Sequence, residues 1–199
     1  MANNRRHIFV PVIFFIVTTF MAVLPVAASP WRADLSGGAL YAPSYGSDVA
    51  LLPAYGFGIG TGVELVMNYW IPIRGELGVY SIGASAWDPT LFRYRAFWGY
   101  RLAAMTGLRV PVGSGELDFL AGGALSASRF TGLSVVTAYA SIVGEMRFLH
   151  PVSFSFLKGR EANIFATVPI EYMFRGNART IATGLEIGVG FQLSKGASK

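Results

Sequence analysis

The chain of 199 residues contains no cysteine. This absence excludes disulfide bonds, cysteine-ligated metal sites and a lipid anchor on a cysteine behind a leader segment. Histidine is nearly absent as well, with only His7 and His150 in the chain. Zinc centres and hydrolytic triads depend on histidine, so we expect no metal site and no other cofactor.

Long apolar runs are missing downstream of residue 28, where none reaches the ~18 residues typical of a membrane-spanning helix. Yet 53% of all residues are hydrophobic. Only helices and closed sheets satisfy their backbone hydrogen bonds within lipid, so two possibilities remain. The chain is either a transmembrane β-barrel or an unusually apolar soluble β-sandwich.

The N-terminus has the features of a secretory signal. Two arginines precede an apolar segment at residues 8–24, and small residues lead up to Ala28. Such a segment is cleaved by signal peptidase, whereas an uncleaved helical anchor is the alternative. Because Pro11 and Pro25 interrupt the segment, we predict a removed signal peptide at 1–28 and a single barrel domain at 29–199.

The net charge of the full chain is +5. Removal of the signal peptide would leave fourteen basic and eleven acidic residues, a net charge of +3. Nucleic-acid binding needs a clustered basic face, whereas the arginines here are spread singly along the chain. We therefore expect no nucleic-acid partner.

Residues 181–193 alternate between an apolar face and a face of small and polar residues. Alternate side chains of a strand lie on opposite sides of its sheet. A core strand of a soluble protein would seldom carry three glycines, a glutamate and a glutamine on one face, so the pattern is typical of a strand between lipid and a polar lumen. It recurs in eight segments, at 31–42, 55–69, 74–87, 94–110, 116–126, 136–148, 163–175 and 181–193.

These segments predict an all-β fold, an eight-stranded antiparallel transmembrane β-barrel with up-and-down meander topology. Each strand needs ~9 to 11 residues to cross the membrane, which leaves enough residues for the turns. Between the strands we predict a loop at 43–53, a turn at 70–73 and a longer connection at 150–161. A six-stranded barrel is the alternative, but it would leave little room for inward side chains.

Aromatic residues on the outward faces fall near the predicted strand ends. Transmembrane barrels carry aromatic belts at both membrane interfaces. With the N-terminus on the periplasmic side, one predicted belt contains Trp31, Tyr69, Phe148 and Phe191, and the other contains Tyr41, Tyr55, Trp87, Tyr94, Tyr172 and Phe174.

Acidic and basic residues share the inward faces of neighbouring strands. A charge removed from water needs a partner, so we predict a lumen charge network that closes the periplasmic half of the barrel. Its predicted members are Glu64, Glu76, Arg101, Arg109, Glu116, Asp118, Glu145, Arg147, Glu171 and Glu186, with Arg95 and Arg175 as further inward charges.

Inward glycines leave one wall of the predicted barrel without bulk. Large inward side chains on other strands either fill this space or leave a small apolar pocket toward the outer end. An eight-stranded lumen holds side chains or one small ligand, so a wide aqueous pore is not expected. The predicted pocket wall consists of Gly56, Gly58, Gly60, Gly62, Tyr80, Phe97 and Tyr139.

In this strand pattern the chain resembles the small eight-stranded outer-membrane barrels, and among them it is similar to the OmpW/OprG-like group. Gly188, Phe191 and Leu193 match the Gly-x-x-aromatic-x-hydrophobic form of the final-strand assembly signal, with Leu193 in place of the usual terminal aromatic. The resemblance implies a location in the bacterial outer membrane, contact with membrane lipid, and biogenesis by periplasmic chaperones and the barrel assembly machinery. It also implies a narrow porin-like channel for passive uptake of small hydrophobic molecules.

Two other functions are alternatives to this channel. The first is a structural or surface-contact barrel with a closed lumen and no transport. The second is an enzyme acting on lipid A, for which His150 and Ser153 would be the candidates. Their spacing does not match that of the lipid A deacylases, and a lone histidine in a turn is usually polar surface, so we expect no enzymatic activity.

Overall fold

The computed structural model describes residues 31–47, 50–67, 69–88, 93–130, 136–153, 161–175 and 178–193. Some residues near the strand ends are described by their backbone alone, namely 44–47, 50–52, 84–88, 93–97, 130, 175 and 178. The predicted signal peptide and the side chains of Phe97, Arg95 and Arg175 therefore lie outside the described part. Within that part, no helix is long and apolar enough to cross a membrane.

Eight antiparallel strands close into one barrel in sequence order, with β8 paired to β1. This arrangement confirms the predicted all-β, eight-stranded meander. The strands are β1 (Trp31–Ser47), β2 (Ala50–Met67), β3 (Ile71–Asp88), β4 (Arg93–Val112), β5 (Gly115–Phe130), β6 (Val136–Val152), β7 (Ala162–Arg175) and β8 (Ala178–Gln192).

The two ends of the barrel differ in the chain segments that form them. The N-terminal end contains the start of β1, the β2–β3, β4–β5 and β6–β7 connections and the end of β8. The distal end contains the other hairpin connections. At the N-terminal end Gly113 has a positive φ of 61°, which glycine adopts without strain.

Exposure alternates along the strands in the predicted register. In β6, for example, Ile142 and Met146 are exposed whereas Val143 is buried. Large apolar residues are exposed on all eight strands, among them Leu35, Ile59, Val79, Leu108, Leu125, Ile142, Ile170 and Leu185. An apolar surface that encircles a protein is unstable in water and matches the lipid-facing band of a transmembrane barrel.

The strands are longer than the membrane requires. β3 has 18 residues. At ~3.3 Å per residue and a tilt of ~40°, a strand of this length covers about 45 Å along the barrel axis, whereas the apolar band of such barrels is about 25 Å tall. The barrel wall therefore continues beyond the membrane.

The predicted loop at 43–53 is wrong, because most of it is strand. β1 continues to Ser47 and pairs with β2 from Ala50. The register shifts between Ala42 and Tyr45, which marks a β-bulge. A bulge leaves a residue outside the ladder and so tolerates a proline such as Pro43, which is why a strand here has the proline content of a loop.

Two other predicted connections are shorter than expected. The turn predicted at 70–73 ends at Trp70, since Ile71 already pairs with Met67 in the β2–β3 ladder. The connection predicted at 150–161 begins later, because β6 runs to Val152 and His150 pairs with Ile164. In both cases cross-strand pairing overrides the local turn signal of proline.

Candidate functional site: the barrel lumen

An inner cluster of charged side chains fills the lumen at the N-terminal end. Glu64 is fully buried and accepts hydrogen bonds from Arg109 at 2.7 Å and Arg147 at 3.0 Å. Arg109 also donates to both carboxylate oxygens of Asp118, at 2.7 and 2.6 Å. The inner cluster consists of Arg32, Glu64, Arg109, Glu116, Asp118 and Arg147.

A central cluster lies next to it, near the middle of the barrel. Arg74 donates to Glu76 at 3.0 Å, and Arg101 contacts Glu76 as well. Arg101 also donates to Glu171 at 3.3 Å. The central cluster consists of Arg74, Glu76, Arg101, Glu145 and Glu171.

Asp34 joins the two clusters. Its carboxylate accepts a hydrogen bond from Arg147 at 3.0 Å, and it binds Arg74 through both guanidinium Nη atoms. Asp34 is only 4% exposed, so these arginines replace the water that its charge would otherwise bind. The charged residues thus form one connected network.

Several of these contacts cross the lumen. Arg32 on β1 donates to Glu116 on β5 at 2.9 Å. Arg147 on β6 and Glu64 on β2 also belong to strands that are not neighbours in the barrel. Because such pairs meet in the interior, they occupy the space through which an aqueous pore would pass.

An apolar layer fills the lumen on the distal side of the central cluster. Tyr80 on β3 and Tyr139 on β6 bond to each other through their hydroxyl groups across the interior. A side chain at Gly99 would overlap the Tyr80 ring, so this glycine lets the ring cross β4. The layer contains Ala42, Ala54, Tyr80, Ile82, Tyr139, Met173 and Ala182, with Leu40 packed against it.

A cavity of about 40 Å³ lies between the apolar layer and the central cluster. Pockets for small organic ligands usually measure about 300–1,000 Å³, whereas one water needs about 10–15 Å³. This cavity therefore has room for a few waters. Its lining includes Leu40, Tyr80, Ile82 and Met173 on one side and Glu76, Arg101, Glu171 and Glu186 on the other.

The structure brings the predicted network residues together. Nine of them make ion pairs, and Glu186 accepts a hydrogen bond from Ser36 at 3.3 Å. Among the nine ion-paired residues, Glu145 has the longest contacts, at 3.6 Å from Arg101 and 3.8 Å from Arg74.

Three network residues were missed by the sequence analysis: Arg32, Asp34 and Arg74. Alternation along residues 31–42 puts Arg32 and Asp34 on one face of β1, opposite the apolar Leu35. Arg74 lies two residues before Glu76 and so shares its face. The alternation of the strands was therefore sufficient to predict that all three residues face the lumen.

Only some residues of the predicted pocket wall line the observed cavity. Gly58, Gly60 and Tyr80 line it, whereas Gly56, Gly62 and Tyr139 do not. The space above Gly62 is taken by Arg74, whose guanidinium would lie 2.5–2.7 Å from an added Cβ. Much of the space that the glycines provide is therefore filled by large side chains.

The residues of the predicted assembly signal lie on β8 and just after it. A side chain at Gly188 would overlap the Phe165 ring, which itself lies against Arg147 at 3.9 Å from the guanidinium to the ring centroid. Phe191 pairs with Ala33, and Leu193 donates its N–H to the Trp31 carbonyl at 2.8 Å. Recognition of these residues by the assembly machinery stays a prediction.

Two observations concern the residues that could take part in catalysis or metal binding. His150 lies in β6 and not in a turn. Among the described residues, no group of three or more histidine or acidic side chains is arranged to hold a metal ion.

Comparison with known proteins gives matches at the level of structure only. No family model matches the sequence, and no curated protein matches it. Among solved structures, Neisserial surface protein A (NspA) is 11% identical with a TM-score of 0.62, over 82% of this chain and 97% of that chain. Ail, the attachment invasion locus protein of Yersinia pestis, solved with the heparin analogue sucrose octasulfate, is 14% identical with a TM-score of 0.50, over 83% and 99%.

The outer membrane protein OprG from Pseudomonas aeruginosa is 10% identical with a TM-score of 0.50, over 84% of this chain and 98% of that chain. At these identities the likeness shows the fold. The resemblance to small eight-stranded outer-membrane barrels, OprG among them, is thus confirmed for the fold.

Proposed function

We propose that this chain is a bacterial outer-membrane protein with a closed lumen, which acts through its surface and not by conducting solutes. The observation that carries the proposal is the set of charged pairs that cross the interior. The pairs Arg32–Glu116, Glu64–Arg147 and Arg101–Glu171 each join strands that are not neighbours. Solute passage would have to separate such pairs, which is costly for buried charges.

The extended barrel wall supports a role in surface contact. Short connections join long strands at the distal end, so the exposed part is a projecting sheet and not a set of long loops. Structural neighbours of this fold include proteins named as a surface protein and as an attachment protein. In a living cell we expect contact with membrane lipid, delivery by periplasmic chaperones and insertion by the barrel assembly machinery.

Passive uptake of small hydrophobic molecules is the second candidate. The cavity of about 40 Å³ favours it, because apolar side chains such as Leu40 and Met173 form part of its lining. Its volume suits a few waters, so uptake would require the apolar layer to open. We rank this function below the closed barrel for that reason.

Permeability of proteoliposomes separates the two candidates. Purified protein is inserted into vesicles, and the entry of a small sugar and of a small apolar solute is followed against empty vesicles. A closed barrel gives entry rates equal to those of empty vesicles for both solutes. Faster entry of the apolar solute in proportion to protein would establish uptake, and faster entry of both would establish an open pore.

A further inference from the structure

Among the side chains that the structure describes, charged residues on the outer face of the barrel lie near its edges. Two arginines project outward among the described side chains, Arg129 near the end of β5 and Arg179 near the start of β8. Both are exposed and both belong to the distal end. The inward arginines belong to the lumen network.

Each of these arginines lies beside an aromatic residue. Trp98 is the cross-strand partner of Arg129, and its ring meets Phe57 edge-on at 6.3 Å between centroids. The Arg179 guanidinium lies 5.4 Å from the ring centroid of Phe174. Aromatic rings at this position mark the boundary between acyl chains and headgroups in membrane barrels.

The apolar band begins immediately below both arginines. Leu125 on β5 and Ile181 on β8 are exposed outward residues on the same faces. An arginine directly above such a band stands at the depth of the lipid phosphates. The guanidinium group is planar, permanently charged and matched to the bidentate geometry of phosphate.

At the N-terminal end, the described side chains do not include an outward arginine beside an aromatic ring. Among the side chains that the structure describes there, no arginine or lysine projects outward, and the exposed charge at that end is Glu161. The described outward side chains therefore differ in charge between the two ends of the barrel.

We infer that Arg129 and Arg179 bind phosphate groups of membrane lipid headgroups at the distal end of the barrel. This binding anchors the distal end in a leaflet rich in anionic phosphate. The inference rests on the proposed membrane location, but it concerns a surface that the closed lumen does not involve.

Unfolding by urea in vesicles of two compositions tests the inference. The protein is inserted into vesicles of phosphatidylcholine, or of phosphatidylcholine mixed with phosphatidic acid, at one ionic strength. A basic residue near an anionic surface contributes about 1 kcal/mol, so two arginines raise the folding equilibrium constant about thirtyfold in the mixed vesicles. The double variant Arg129→Gln/Arg179→Gln should lose this rise.

Controls separate the source of the phosphate and the role of the site. Glu161→Gln, at the opposite end, should keep the full rise in mixed vesicles. Inorganic phosphate added to phosphatidylcholine vesicles should give no rise. An equal rise in the double variant, or the same rise with inorganic phosphate alone, would overturn the inference while leaving the membrane location intact. Failure of the wild type to insert into either vesicle would overturn both.

Discussion

Replacing Glu64 by glutamine should weaken the barrel strongly. Glu64 is fully buried and lies 2.7 Å from Arg109, 3.0 Å from Arg147 and 3.7 Å from Arg32. Loss of its charge leaves these guanidinium groups buried with fewer counter-charges. Removing one partner of a buried ion pair typically costs about 3–5 kcal/mol, so we expect a loss of about 4 kcal/mol in the free energy of unfolding.

Glu145 offers a matched control, because it is also a buried carboxylate in the same lumen. Its side chain is 2% exposed, but its nearest guanidinium atoms are 3.6 and 3.8 Å away. Among the described atoms its Oε1 has no hydrogen-bond partner. Since glutamine at this position gives up no hydrogen bond to Oε1, we expect Glu145→Gln to change stability by no more than about 1 kcal/mol.

Urea unfolding of both variants in the same detergent or vesicle measures this difference. With a denaturant dependence of about 2 kcal/mol per molar urea, Glu64→Gln should lower the midpoint by about 2 M. Glu145→Gln should shift it by at most about 0.5 M. Equal shifts for the two variants would refute the view that cross-lumen pairing sets the energy of each buried carboxylate.

Two further predictions concern the packing of the lumen and the lipid face. Gly99→Ala should destabilise the barrel by about 1–3 kcal/mol, because the added Cβ would overlap the Tyr80 ring. Gly75→Ala should leave the stability unchanged, because the space around its added Cβ is open. The urea midpoints of the two variants measure this difference. Leu185→Lys, at an exposed outward position in the middle of β8, should cost about 2–4 kcal/mol in vesicles, whereas Leu193→Lys just beyond the strand should cost about 0–1 kcal/mol. Equal costs at these two positions would contradict a lipid-facing band.

The wall of the barrel follows from the sequence because side-chain alternation depends on local geometry alone. Alternation correctly separates residues such as Ile142 and Met146, which are exposed, from Val143 and Glu145, which are buried. It fails where cross-strand pairing decides the structure. Residues 43–53 have the composition of a loop, although the bulged ladder between β1 and β2 continues through most of them.

The contacts within the lumen could not be predicted in the same way. Which inward residues meet depends on strand tilt and stagger, which bring distant strands to the same level of the barrel. Asp34 and Arg147 are 113 residues apart and contact each other through the lumen. Likewise, the glycines of β2 indicated free space, but Arg74 from the neighbouring strand fills the part above Gly62.

Single-channel conductance in a planar lipid bilayer tests the closed lumen most directly. Purified full-length barrel is inserted from one side, and insertion is verified separately by protection of the barrel from protease. The network that joins Arg32, Asp34 and Glu64 to strands across the interior predicts no stable conductance steps above the bare bilayer. Long-lived steps of uniform size that scale with the amount of inserted protein would contradict the account.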